Sequence, residues 1–429
     1  MATLSFVIQV ESLLVSLHSF SSTNIARQFT KRISLPLNYL HYKVAYADIM
    51  TYLSYNPKYP AISDLKAKAK KRIPNFAYDY VDGGIDQEHG KQRNRDAWHT
   101  INLVPQYLKD VGEADLNTSI FGKDYAMPFG VPPIGLGNMM WPGAELALAT
   151  AAQKANMPYI LSTFSTTKLE DIAKAAPDVC WFQLYVPKKI TVMKDLLTKV
   201  KDAGYNALVV TLDIPVGAKR NRELKNGLKL PFSFTPKIIW QCATHPTWAL
   251  RMLVEGQPDF VNVMQYNEGP NEGLSNFITQ FNMHGVTRER IELIRDLWDG
   301  PLVLKGVQHE PDMIAAKEIG VDGVIVSNHG GRQLDAAPST VESLEKLAHH
   351  ADDNMTIMVD SGIRTGTDVV RAKALGAKMS FSGRSFFWGM GALGTTGAEQ
   401  VIGIYQDEID RTLKQVGCRS ISEMDETWL

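Results

Sequence analysis

Asn328-His329-Gly330-Gly331-Arg332 sets an imidazole and a guanidinium three residues apart, with two glycines between them. An imidazole moves protons near neutral pH, and a guanidinium grips a carboxylate through two parallel hydrogen bonds. A base beside a carboxylate clamp suits removal of hydrogen from the carbon or hydroxyl next to an acid group. The glycines let the backbone turn sharply and let a ligand approach it closely. A lone histidine in a polar loop is most often a satisfied hydrogen-bonding residue. Here the apolar, β-branched run 323–327 leads straight into the motif and reads as a buried strand. Both side chains then stand at a strand mouth, which favours a functional site.

Such groups need a frame that repeats strand and helix. Strand-like runs recur at 129–132, 159–162, 181–186, 207–212, 302–305, 323–327, 356–359 and 379–382. Helical patterns at 144–156, 169–175, 190–203, 311–320, 340–350 and 367–376 lie between most of them. Eight strands alternating with helices predict an α/β fold, the (β/α)8 or TIM barrel. A helical segment over 62–80 precedes it, and a long insertion follows the fourth strand. Catalytic groups in this architecture lie at the C-terminal strand ends. The predicted strands end, in order, in Pro133-Ile134-Gly135, Ser162, Gln183 with Tyr185, Thr211 with Asp213, Lys305, Ser327 with His329, Asp360-Ser361-Gly362 and Gly383-Arg384. A polar residue or a glycine at every end supports a site there. Gly362, Arg364, Gly383 and Arg384 also fall in the loops after strands seven and eight, where barrels often bind phosphate.

Composition excludes several classes. A net charge of -1 with no arginine-rich tract gives no reason to expect nucleic acid. The three cysteines, Cys180, Cys242 and Cys418, are far apart and form neither a disulfide framework nor a zinc site, and no metal is expected. Hydrophobic content of 45% with 21% charged residues is ordinary for a globular protein.

The nine residues Ser327 to Asp335, SNHGGRQLD, resemble the signature of the FMN-dependent α-hydroxy acid oxidases and dehydrogenases, and the likeness extends from about Ile73 to the C-terminus. That family includes L-lactate dehydrogenase, mandelate dehydrogenase and glycolate oxidase. The resemblance implies FMN as cofactor and oxidation of an L-2-hydroxy acid to the 2-oxo acid. It makes His329 the general base, with Asp213 orienting it and Tyr185 bonded to the reacting hydroxyl oxygen. Arg332, Tyr80 (from the YDY-x-x-G motif) and Arg220 would bind the substrate carboxylate. Pro133, Ile134, Gly135, Ser162, Gln183, Thr211, Lys305 and Ser327 would line the flavin, and Asp360, Gly362, Arg364, Gly383 and Arg384 would form its phosphate end. Ile134 departs from the threonine usual in the family. The acceptor is a quinone, a cytochrome or oxygen, and the resemblance implies a homo-oligomer, a tetramer. An FMN-dependent isomerase would share the phosphate cradle but gives no reason for His329, Arg332, Tyr80 and Tyr185 together.

Two stretches lie outside this pattern. Residues 1–49 are serine-rich with only two acids, and read either as a mitochondrial-type transit peptide or as a dispensable extension before a 50–429 enzyme domain. The insertion, 221–285, carries Phe232, Phe234, Trp240, Trp248, Phe260 and Tyr266. The comparable segment of membrane-bound family members docks on the bilayer, which implies a peripheral position on the inner face of a membrane. The other reading is a lid over the site, in a cytoplasmic enzyme.

Overall fold

The computed structural model describes residues 56–228, 235–256, 258–267, 281 and 285–429. The N-terminal extension, Phe232 and Phe234 lie outside the described residues.

A two-stranded hairpin comes first: β1 (Thr118–Ile120) and β2 (Lys123–Tyr125), antiparallel. Its turn, Phe121-Gly122, holds both residues at positive φ, +53° and +74°, as tight hairpin turns require. Phe121 packs against Gly323 and Trp181, and Tyr125 Oη accepts a bond from Trp181 Nε1 at 3.2 Å. The hairpin therefore plugs the N-terminal end of the eight-stranded barrel.

The barrel itself is β3 (Phe129–Gly130), β4 (Tyr159–Ser162), β5 (Cys180–Leu184), β6 (Leu208–Thr211), β7 (Leu302–Val307), β8 (Gly323–Val326), β9 (Thr356–Val359) and β10 (Met379–Phe381). All neighbours are parallel, in the order β3-β10-β9-β8-β7-β6-β5-β4, and one bridge from Val131 to Tyr159 joins the two ends. The strands are buried almost throughout, because helices cover one face and the barrel core the other. All eight predicted strands are present: 159–162 and 356–359 keep their expected bounds, 302–305 extends to Val307, and the other five lose one or two residues at an end.

The helical segment is two helices, Ile62–Arg72 and Asn75–Asp82, with Pro74 capping the second. The second ends at Gly83 in extended backbone, not in the left-handed conformation that usually makes glycine a helix terminator. Gly83 is needed for space instead, since a Cβ there would lie 2.6 Å from the Asp79 carbonyl oxygen. After β10 come two helices that the strand-and-helix reading did not include, Gly383–Leu393 and Gly397–Val416. The first packs on Ile62–Arg72, closely enough that a Cβ on Gly391 would meet Ala69 at 3.1 Å. That contact ties the N-terminal helices to the mouth of the barrel.

Candidate active site

The strand-end residues converge at the C-terminal mouth. His329, Gly330 and Gly331 follow β8 with φ of +58°, +68° and +71°. The two glycines adopt this backbone freely, but for His329 it is costly and persists only where the surroundings enforce it. The enforcement is visible. A Cβ on Gly331 would lie 2.4 Å from the Lys91 amide nitrogen, and Asn328 pairs its amide reciprocally with Asn94 at 2.8 Å. Gly330 N–H donates to Ser361 Oγ at 2.9 Å, and His329 N–H donates to Ser327 Oγ at 3.1 Å. The backbone that carries the imidazole is thus held on both sides.

His329 Nδ1 lies 3.0 Å from Asp213 Oδ1, and both side chains are largely buried. With Nδ1 donating its proton to the aspartate, Nε2 keeps the lone pair. Burial depresses the histidine below its ordinary pKa, opposed by Asp213 and helped by the positive Lys305 and Arg220. The imidazole is thus neutral at physiological pH and ready to accept a proton. Burial alone would raise the Asp213 carboxyl, but His329 and Lys305 hold it below its usual range. Gly306, at a β-bulge in β7 with φ +105°, leaves room for this aspartate, since a Cβ there would be 2.7 Å from Asp213 Cβ.

Lys305 is 4% exposed and pairs with Asp360 at 2.9 Å while donating to Ser327 Oγ at 2.8 Å. Burial disfavours its charge, but Asp360 and Asp213 outweigh that and keep it protonated. A fixed cation therefore sits at the barrel centre. Around it, Gln183 Nε2 donates to Thr211 Oγ1 at 2.9 Å and Ser162 Oγ to Gln183 Oε1 at 3.1 Å, all buried. Pro133, Ile134 and Gly135 come next after β3. The Gly135 carbonyl accepts from Tyr80 Oη at 3.0 Å, and Ile134 Cδ1 sits where a Gly383 side chain would go.

Arg332 spans the other side. Its Nη1 donates to the carbonyls of Tyr80 at 2.6 Å and Gly83 at 3.0 Å, and its Nη2 reaches Glu223 Oε1 at 3.2 Å. Arg220 Nη1 meets the same oxygen at 3.4 Å. Burial and the neighbouring Arg220 bring Arg332 down to about 10, so it stays charged, and a single carboxylate oxygen of Glu223 serves two guanidiniums. Tyr80 lies under Arg332 as an aromatic platform, 5.3 Å from ring centre to Cζ. Tyr185 stacks on Phe164, which also contacts Phe260 and Phe281, so an aromatic wall flanks the pocket.

Arg364 and Arg384 form a second cationic pair below. Burial lowers Arg364 to about 10 and Arg384 further, each aggravated by another arginine's charge. Arg384 bonds to the carbonyls of Val81, Gly330 and Gly83, which leaves two of its five N–H groups without a partner among the described residues. Ser382 and Gly383 begin the helix Gly383–Leu393, whose first N–H groups add to the same anion site. A pair of buried arginines at a helix start, with no salt-bridged carboxylate among the described residues and with a buried lysine and polar strand ends above, fits a flat anionic cofactor carrying a phosphate.

Every residue expected at the site from the sequence lies at this mouth. Ser361, expected only as part of the polar end of the seventh strand, sits at φ +72°, accepts from Gly330 N–H and donates to Asp360 Oδ1 at 2.7 Å. Two residues that matter were not anticipated. Glu145 is buried and accepts from the amides of Gly137 and Thr166, shaping the loops after β3 and β4. Within its alanine-rich helix it carries no motif, so only the fold reveals it. Glu223 was passed over inside a run of mixed charge.

A family model for FMN-dependent dehydrogenases matches residues 69–429. The (S)-mandelate dehydrogenase of Pseudomonas putida is 36% identical over 368 residues, covering 86% of this chain and 93% of that protein. An L-lactate dehydrogenase of Vibrio cholerae serotype O1 is 38% identical over 368 residues, covering 85% and 97%. Among solved structures, the monotopic membrane protein (S)-mandelate dehydrogenase superposes with a TM-score of 0.81 at 35% identity, covering 86% of this chain and 98% of that one. A mandelate oxidase bound to (S)-2-phenylpropionate gives 0.72 at 30% identity, covering 85% and 96%. With its barrel, its buried histidine–aspartate couple and its two arginine pairs at one mouth, this chain belongs to the FMN-dependent α-hydroxy acid dehydrogenases and oxidases.

Proposed function

We propose that this enzyme oxidises an L-2-hydroxy acid with an apolar side chain, lactate- or mandelate-like, and passes the electrons to a quinone rather than to oxygen. The observation that carries the first part is the His329–Asp213 couple standing beside Arg220 and Arg332. FMN, when bound, supplies the acceptor for the two electrons. Arg364, Arg384, Gly362 and Gly383 would hold its phosphate, Asp360 would fix Lys305, and the ends of β3 to β8 would surround its ring. Lys305 would stabilise negative charge at the ring, an electrostatic effect that can be worth several kcal/mol in a dry site.

The protein's own groups do the rest. Arg332 and Arg220 hold the substrate carboxylate, and Tyr80 supports Arg332 from beneath. Tyr185 bonds to the hydroxyl oxygen at the aromatic wall. His329 Nε2 takes the proton, and Asp213 stabilises the imidazolium that results. Recording the visible spectrum of the purified protein during anaerobic addition of hydroxy acids tests this. L-lactate or (S)-mandelate should bleach a flavin spectrum that their enantiomers leave intact. Bleaching by neither L acid would overturn the substrate reading.

The insertion supports the acceptor reading. The helices Pro236–Thr244 and Pro246–Glu255 bury Ile238, Gln241 and Trp248 against the barrel mouth and expose the opposite face. That face shows Trp240, Leu253 and Val254 at 69%, 80% and 83% exposure, with Ile239 and Leu250 beside them. A contiguous apolar face next to a polar rim is how surface-bound helices enter a membrane interface. No described helix is long and apolar enough to cross a membrane. Stopped-flow reoxidation should be faster with a quinone analogue than with oxygen. Faster oxygen turnover would make the enzyme an oxidase releasing hydrogen peroxide.

A further inference from the structure

The substrate clamp already holds a carboxylate, and it belongs to the protein. Glu223 Oε1 receives Arg220 Nη1 at 3.4 Å and Arg332 Nη2 at 3.2 Å, bridging the two guanidiniums. We propose that Glu223 is an internal stand-in for the substrate carboxylate, which closes the clamp in the free enzyme and is displaced when a hydroxy acid binds. This rests on the reading of Arg220 and Arg332 as the substrate's carboxylate site.

Three observations carry it. First, both contacts are longer than the 2.7–2.9 Å of strong charge-assisted pairs, so Glu223 is a weak occupant. Secondly, Arg220 Nε is buried without a hydrogen-bond partner among the described residues, a donor in the clamp that Glu223 does not satisfy. Thirdly, the helix that carries Glu223, Asn221–Asn226, is anchored elsewhere. Arg222 Nη1 bonds to Asp79 at 3.0 Å and Asp82 at 2.8 Å, its Nε reaches Glu88 at 2.7 Å, and Asn226 bonds to Asp79. Glu223 can therefore leave the arginines by side-chain rotation while its helix stays docked. The device also spares the free enzyme an uncompensated pair of buried cations, which is costly. Glu223 is a positioning residue with a role in selectivity: only a ligand that brings a charge of its own repays the contacts it breaks.

Oxalate, a dianion with no oxidisable C–H bond, is the probe. Its binding to the flavin-loaded enzyme is followed by the change in flavin absorbance and by thermal unfolding. A clamp closed on Glu223 for nine-tenths of the time weakens apparent affinity roughly tenfold. E223Q should therefore bind oxalate roughly tenfold more tightly than wild type, lower KM by more than it changes kcat, and gain more thermal stability from saturating oxalate. Unchanged or weaker oxalate binding in E223Q would overturn the proposal. Should E223Q fail to load flavin, E223D keeps the charge on a side chain too short to bridge, and must also tighten oxalate binding. Failure of wild type to bind oxalate at all would instead remove the underlying assignment of Arg220 and Arg332.

Discussion

The loop after β8 and the two insertion helices stand at the same end of the barrel but are built on opposite terms. In the loop, the backbone amides of His329, Gly330 and Gly331 each have a named partner, and three residues lie in left-handed backbone. On the insertion, one face is packed and the other exposes Trp240, Leu253 and Val254 with nothing described against them. Catalysis tolerates little displacement, and an over-determined loop suits the role proposed for His329. A surface that meets an acceptor or a bilayer needs apolar area, not fixed atoms. The contrast separates what the reaction requires from what its setting requires.

The loop should be the more fragile of the two. His329→Gln is expected to leave flavin bound while anaerobic flavin reduction slows by ~10²–10⁴-fold, the loss typical of a missing general base. Near-normal reduction in stopped-flow would place the base elsewhere and dissolve the contrast. Arg332→Lys keeps the charge but loses the fork, so KM should rise and kcat fall together, by about tenfold or more in kcat/KM. Steady-state kinetics that match wild type would make Arg332 a purely structural residue.

A pH profile sharpens the picture of the base. Because burial holds His329 below its ordinary pKa, and the neutral form is the active one, kcat/KM should stay flat through neutrality and fall only below about 6.5. Asp213→Asn removes the charge that raises this pKa, so the acid limb should move lower still while the plateau drops. A limb that moves upward would contradict the sign of the Asp213 interaction.

The smallest catalytic effect should come from the insertion. Changing Trp240, Leu253 and Val254 together to serine should abolish sedimentation with lipid vesicles yet leave dye-linked turnover within about twofold, since exposed positions contribute little to stability. Equal loss of dye and quinone activity would mean the helices serve as a lid over the site and not as a docking face.

Legibility followed the same divide. The loop is one continuous run of nine residues whose chemistry can be read directly, and the strand ends are marked by polar residues after apolar runs. Contacts between distant segments left no such mark. Glu145 sits in an alanine-rich helix, and Glu223 lies among alternating charges where its neighbour Arg222 points to an acidic cluster instead. The insertion was legible only in part. Its aromatics suggested one surface, but Trp248 donates to the Met139 carbonyl at 3.1 Å and Phe260 is buried, so both belong to the fold. Composition counts aromatic rings without saying which way they face. The two helices after β10 escaped because alternation with strands had ended.

The bridge between Val131 and Tyr159 has a consequence for how the cofactor is taken up. β3 has two residues, and this single bridge joins it to β4, so the cylinder has a seam with few cross-strand bonds. Openings of a native protein start where the fewest interactions must break. The seam lies directly below Pro133, Ile134 and Gly135, so an opening there would loosen the strand end proposed to border the flavin. A ligand that binds only the closed form raises the cost of that opening. FMN would thereby act as a clasp, and amide hydrogen exchange at Val131 and Ile160 should slow on its binding more than exchange in the middle of β8.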